Sequence, residues 1–164
     1  RALDLYAGVG LFAVALAERV GPLGQVIAVE SEKRATAYAR ENLADHRQAL
    51  VLDGRVDDLF GVPRPSRARA SRRSSRRQAR SPLLPESADL VVLDPPRTGA
   101  GAGVVRAVGA LRPRAIAYVA CDPAALARDT ATLLEMGYVL AALRCFDAFP
   151  MTHHLECLAL FSRP

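Results

Sequence analysis

The chain opens on a short, largely apolar run at 3–6 that stops at Ala7-Gly8-Val9-Gly10, and 11–20 then places apolar side chains at helical spacing up to Gly21-Pro22. That order predicts a buried strand, a glycine turn and a helix. A β-branched run over 25–29 closes on Glu30, and the polar stretch 32–44 sets Ala35, Ala39 and Leu43 on one helical face, completing a β-α-β unit. A third short strand is expected over 49–52 and a helical turn over 57–60.

Between 62 and 85 the pattern fails. The segment PRPSRARASRRSSRRQARSPLLP is too charged and Pro-rich to bury a face, and predicts a disordered or mobile surface insertion. Periodicity returns with a strand over 88–93 that ends at Asp94-Pro95-Pro96-Arg97, then a helix over 103–111. A strand over 115–120 ends at Cys121-Asp122-Pro123 and a helix follows to about 136. Two further apolar runs, 139–146 and 155–161, read as closing strands. Alternating strands and helices without an internal repeat imply one α/β domain over 1–164, a doubly wound and mostly parallel sheet.

Charge sharpens the division between fold and insertion. Of 22 Lys and Arg, eight Arg fall between 64 and 80, which holds no acid, so the rest of the chain sets 14 basic residues against 17 acidic ones. The formal net charge of +5 is therefore local. The folded part carries no overall electrostatic footprint for nucleic acid. No apolar run approaches the ~20 residues of a bilayer span. Three cysteines, odd in number and without a CxxC pair, argue against a disulfide scaffold and a zinc site and fit a reducing cytoplasm. The first strand follows Arg1 directly, with no initiator Met or signal architecture, so an upstream portion is expected.

The candidate chemistry sits at strand ends, where doubly wound sheets bind their ligands. Gly8 and Gly10 allow a ligand close to the backbone. The spacing Gly8-x-Gly10-x-x-Ala13, with Glu30 about twenty residues on to take two ribose hydroxyls, also satisfies the dinucleotide pattern, so the loop alone does not separate NAD from S-adenosyl-L-methionine. Asp4 favours the latter. A carboxylate just before the loop suits the ammonium of the methionine moiety and repels a pyrophosphate.

At Asp94, Pro95 and Pro96 remove two N–H donors and stiffen the rim around a carboxylate that can accept from the amide edge of a flat base. Arg97 can donate to a carbonyl oxygen or a phosphate. Cys121 stands where a strand gives way to a helix, with Asp122 as N-cap and Pro123 at the first helical position. The positive helix end there favours a thiolate, the form that attacks carbon, although a cysteine in an apolar strand is also ordinary core filler. Glu156, entering the last strand, is a candidate base. His153 and His154 before it lack a third ligand of suitable spacing, so no metal is expected.

Taken together, DLYAGVGLFA, VIAVES, LDPPRTG, YVACDPAALARD and FPMTHHLE, in this order and at these separations, resemble the RNA uracil-C5 methyltransferase family, which makes 5-methyluridine in transfer and ribosomal RNA. The match covers nearly the whole chain outside the Arg-rich stretch. It implies a class I methyltransferase fold with a Rossmann-like sheet. It also implies S-adenosyl-L-methionine as cofactor, held by Tyr6, Gly8, Gly10 and Glu30, with Asp94 in the cofactor and base pocket. Cys121 becomes the nucleophile and Glu156 the base that removes the C5 proton. The implied partner is ribosomal or transfer RNA, with a monomer as the default state. Ala7, Ala120 and Met151 depart from the family's frequent Cys, Ser and Gln. Family members also carry an RNA-binding module and a cofactor-contacting Gln, which the resemblance places upstream of Arg1.

Other classes account for part of this pattern. A base-nitrogen methyltransferase uses a similar Pro-Pro strand end but needs no cysteine, and an NAD-dependent dehydrogenase explains the glycine loop alone. A non-catalytic RNA-binding fragment would use the Arg/Ser-rich segment as an electrostatic arm.

Overall fold

The computed structural model describes residues 1–63, 79–148, 151–152 and 155–163. In chain order its elements are β1 (Ala2–Leu5), α1 (Leu11–Val20), β2 (Val26–Glu30), α2 (Lys33–Asn42), β3 (Ala49–Asp53), α3 (Val56–Leu59), β4 (Leu90–Leu93), α4 (Ala102–Ala110), β5 (Ala115–Ala120), α5 (Pro123–Glu135), β6 (Val139–Phe146) and β7 (Glu156–Ser162). The strands form one seven-stranded sheet in the order β3-β2-β1-β4-β5-β7-β6. The first five run parallel, and β7 lies antiparallel between β5 and β6. This is the expected doubly wound α/β sheet, with its topological switch between β1 and β4.

Strand alternation divides the core in two. Leu3, Leu5, Ile27, Val29, Val91, Leu93, Ile116 and Tyr118 pack with residues of α3, α4 and α5 in one buried cluster. Ala2, Val26 and Ala28 point the other way and pack with Ala13 and Ala17 of α1 and with Leu43. Short β-branched strands buried on both faces are what helices on both sides of a parallel sheet require. Two helices carry the side-chain caps their sequences offer. Glu32 accepts from the Arg34 and Ala35 amides ahead of α2 (3.1 and 2.7 Å), and Asp122 accepts from Ala125 N–H ahead of α5 (2.6 Å).

The insertion expected over 62–85 is too wide. Val62 packs against the larger cluster, Leu84 is buried inside it, and the Ser81 amide donates to the Leu59 carbonyl (2.8 Å). Of the two leucines between Pro82 and Pro85, Leu84 is buried and anchors this return to the core while Leu83 is exposed, a signal that averaged composition conceals. Residues 64–78, with seven of the eight arginines, lie outside the described residues. Among the described residues no helix is long and apolar enough to cross a membrane.

Candidate active site

The carboxyl ends of β1, β2, β4 and β5 all open on one edge of the sheet, and the amino end of antiparallel β7 meets them there. At the end of β1 the backbone turns sharply: Tyr6, Gly8 and Gly10 all have positive φ (66°, 55° and 86°). For a tyrosine this conformation is uncommon and costs on the order of 1 kcal/mol, a strain that clusters at ligand sites. A Cβ on Gly10 would touch Ala39 of α2 at 3.4 Å, whereas one on Gly8 would meet nothing within 4 Å. Gly10 is thus required by its left-handed backbone more than by packing, and Gly8 leaves an open face.

Glu30, at the end of β2, holds this loop. Its Oε2 accepts from Gly8 N–H (2.9 Å) and its Oε1 from the Ser31 and Glu32 amides (both 2.7 Å). Each oxygen of a carboxylate has two lone pairs, so Oε2 keeps one for a ligand. Asp4 is fully buried on the α1 face of β1, and among the described residues neither of its oxygens has a hydrogen-bond partner. Burial pushes its carboxyl up to about 7, the amide dipole of Ala13 at the start of α1 offsets part of that, and the charges of Asp94 and Glu30 add to it. A buried carboxylate without a partner is costly, and a cationic ligand group would relieve it.

Tyr6, Glu30 and Asp94 line one cavity of about 910 Å³, a size that suits a cofactor-sized molecule. Ser31, Gly54, Arg55, Asp57 and the 98–101 segment complete its wall. Gly54, Arg55 and Asp57 belong to no motif of the sequence, yet Gly54 and Arg55 follow the end of β3 just as Ser31 follows the end of β2. Arg55 grips Asp57 with Nε to Oδ1 at 3.0 Å and a second guanidinium nitrogen to Oδ2 at 3.2 Å. Burial, then the charges of Asp57 and Asp129, raise the Tyr6 hydroxyl, which stays a donor at neutral pH.

The other end of the edge holds Asp94, Cys121 and Glu156. Leu93 pairs with Tyr118, so Asp94 is the first residue beyond β4. Ala120 is the last residue of β5 and pairs with Cys157 of β7, which brings Cys121 and Glu156 to the ends of adjacent strands. Both are half-buried. Asp94 is open to solvent on one side, but the crowded rim raises its carboxyl above the usual range and the Glu156 charge adds to the rise, so the two acids feel each other. Arg97 is exposed. His153 and His154 lie outside the described residues, among which no group of three His, Cys, Asp or Glu is placed to hold a metal ion.

A buried network, unread in the sequence, supports this wall. Asp129 of α5 accepts at Oδ2 from the Tyr118 hydroxyl (2.5 Å) and from the Ala100 and Gly101 amides (2.8 and 3.1 Å). Gly99 passes so close that a Cβ there would lie 2.8 Å from the same oxygen. The signal was present: Leu126, Asp129 and Leu133 share one helical face, and a carboxylate on an apolar stripe needs partners.

The family model described as tRNA (Uracil-5-)-methyltransferase matches residues 1–164. An uncharacterized RNA methyltransferase of Streptomyces avermitilis is 47% identical over 159 residues, which cover 97% of this chain and 32% of that protein. A 23S rRNA (uracil(1939)-C(5))-methyltransferase of Azoarcus sp. is 39% identical over 166 residues, covering 100% of this chain and 34% of that protein. The crystal structure of Pyrococcus abyssi tRNA (uracil-54, C5)-methyltransferase in complex with S-adenosyl-L-homocysteine superposes with a TM-score of 0.69 at 26% identity, covering 98% of this chain and 34% of that one. The chain spans about a third of the length of the curated relatives it matches. With the model matched from end to end and the glycine loop, Asp94, Cys121 and Glu156 gathered on one sheet edge, the chain belongs to the tRNA (uracil-5-)-methyltransferase family.

Proposed function

We propose that this chain is the catalytic domain of a cytoplasmic methyltransferase that transfers a methyl group from S-adenosyl-L-methionine to C5 of a uracil in ribosomal or transfer RNA. The observation that carries the reading is the pairing of β5 with β7, which sets a cysteine and a glutamate at neighbouring strand ends beside the Asp94 rim. Family membership and the uracil-C5 specificity named for relatives support it. The cofactor fits the residues present: unpartnered Asp4 suits its ammonium, Gly8 leaves space, and Tyr6, Glu30 and Asp94 line the cavity.

Uracil C5 is a weak nucleophile. The Cys121 thiolate adds to C6, forming an S–C6 bond and pushing the C5–C6 π electrons onto the C4 carbonyl as an enolate whose C5 is now electron-rich. When bound, the cofactor supplies a sulfonium methyl as the electrophile for that carbon. Glu156 then takes the proton from C5, and the freed electron pair restores the C5–C6 double bond as the S–C6 bond breaks and the thiolate is regenerated. Asp94, on its proline-stiffened rim, accepts from the base and fixes its edge. A uracil stacked in folded RNA must be extruded to reach these groups.

Cys121→Ala in the full-length protein tests the assignment. Labelled methyl transfer to RNA should fall to background while cofactor binding persists. Transfer at the wild-type rate would mean a mechanism without a cysteine adduct, such as methylation of a base nitrogen.

A further inference from the structure

Cys145 of β6 and Cys157 of β7 are directly opposed in the antiparallel ladder. Their sulfurs lie 3.1 Å apart as free thiols. Directly opposed antiparallel residues have Cα atoms about 4.5–5.5 Å apart, inside the ~4.4–6.8 Å range that a disulfide spans. A bond between these sulfurs therefore needs no change of register. The two differ in access, Cys145 being exposed and Cys157 only 2% exposed. Burial, then the contact with Cys145, pushes the Cys157 thiol up to about 11. Cys145 is thus the sulfur that meets an oxidant, and Cys157 is the neighbour that resolves it.

We propose that Cys145 and Cys157 form a reversible dithiol–disulfide pair, a modification site for a small disulfide or peroxide oxidant that is separate from Cys121. With glutathione disulfide, the Cys145 thiolate attacks one glutathione sulfur and expels one glutathione thiolate. Cys157 then loses its proton to solvent and attacks the Cys145 sulfur of the mixed disulfide, expelling the second. Two protein thiols give up two electrons and two protons, which convert one glutathione disulfide into two thiols. With a peroxide, Cys145 becomes a sulfenic acid whose oxygen leaves as water when Cys157 attacks. Residues 146–156 lie inside the ring so closed. Oxidation ties the neck of the segment that leads into Glu156 and leaves Cys121 a thiol, whatever the reaction catalysed nearby.

Met136 and Met151 place the three cysteines on three different cyanogen bromide fragments. Full-length protein is treated with glutathione disulfide, unfolded, alkylated at its free thiols and cleaved. The Cys145 and Cys157 fragments should emerge linked and separable by dithiothreitol, with Cys121 alkylated. Cys145→Ser, at an exposed position, should leave Cys157 alkylated and no fragments linked, whereas Cys121→Ser should keep the link. A glutathione adduct that persists on Cys145 beside a free Cys157, or a bond that includes Cys121, would overturn the proposal.

Discussion

The Tyr118 hydroxyl of β5 donates to Asp129 of α5 at 2.5 Å, and the same carboxylate oxygen takes the Ala100 and Gly101 amides. Three donors converge on one buried acceptor and pin the segment after Asp94-Pro95-Pro96-Arg97 to the core, so the cavity wall is built from a strand, a helix and a loop at once.

Removing that acceptor takes the partner from the Tyr118 hydroxyl and the Gly101 amide, each unsatisfied group costing about 1–3 kcal/mol, while the Ala100 amide still reaches the Tyr118 oxygen at 3.0 Å. Asp129→Ala should therefore destabilise the fold by about 3 kcal/mol, allowing for water that enters. Asp129→Asn, which keeps one acceptor oxygen, should cost roughly half as much. Urea unfolding of both variants measures this, and an Ala variant within 0.5 kcal/mol of wild type, roughly the effect of an ordinary surface substitution, would mean that the network does not hold this wall.

Burial holds the Asp4 carboxyl at about 7 against an ordinary 3.8. Below pH about 4 folded and unfolded chains both carry the proton and Asp4 costs nothing; between about 4 and 7 the unfolded chain releases a proton that the folded chain keeps, so stability falls as pH rises and the loss is complete above about 7. The whole effect is on the order of 4 kcal/mol. Asp4→Asn cannot ionise and escapes it. The stability of the Asn variant relative to wild type should grow by about 2–3 kcal/mol between pH 5 and pH 8 in urea titrations, and a flat difference would mean that the carboxyl is not held neutral.

A cationic ligand group beside Asp4 favours its charged form. Calorimetry of S-adenosyl-L-methionine binding to the full-length protein near pH 6.5, in buffers of different ionisation enthalpy, should show proton release. The Asp4→Asn variant should bind more weakly and release none, and equal release from both would place the linked proton elsewhere.

Glu156→Gln removes the proposed base but leaves Cys121. Turnover should drop about 10²–10⁴-fold, the usual worth of a positioned general base, while a covalent protein–RNA species accumulates because it is methylated but cannot eliminate. Denaturing electrophoresis with labelled RNA reads the species directly. Undiminished turnover without accumulation would reassign the base.

The periodic segments of the sequence were legible because each element obeys its own rhythm: α1 and β5 fall on the residues that the apolar spacing marks. The order of the last two strands was not. Nothing local in 139–146 or 155–161 says that β7 inserts antiparallel between β5 and β6, and it is this long-range pairing that carries Glu156 to Cys121. Glu30 was legible as an acid after a strand, but not as the acceptor for Gly8, because that contact spans a loop closed only by the sheet. Asp129 was hidden by its helix, and Leu84 by its neighbours.

Attack of Cys121 on the same base whose C5 is methylated would leave a covalent species that can be trapped. RNA carrying 5-fluorouridine, whose fluorine cannot leave as a proton does, is incubated with the full-length protein and S-adenosyl-L-methionine, and the product is digested and mapped by mass. A methylated fluorouracil attached to the peptide that contains Cys121 is the predicted result. A protein that binds the cofactor and this RNA but yields no adduct, or an adduct on another residue, would contradict it.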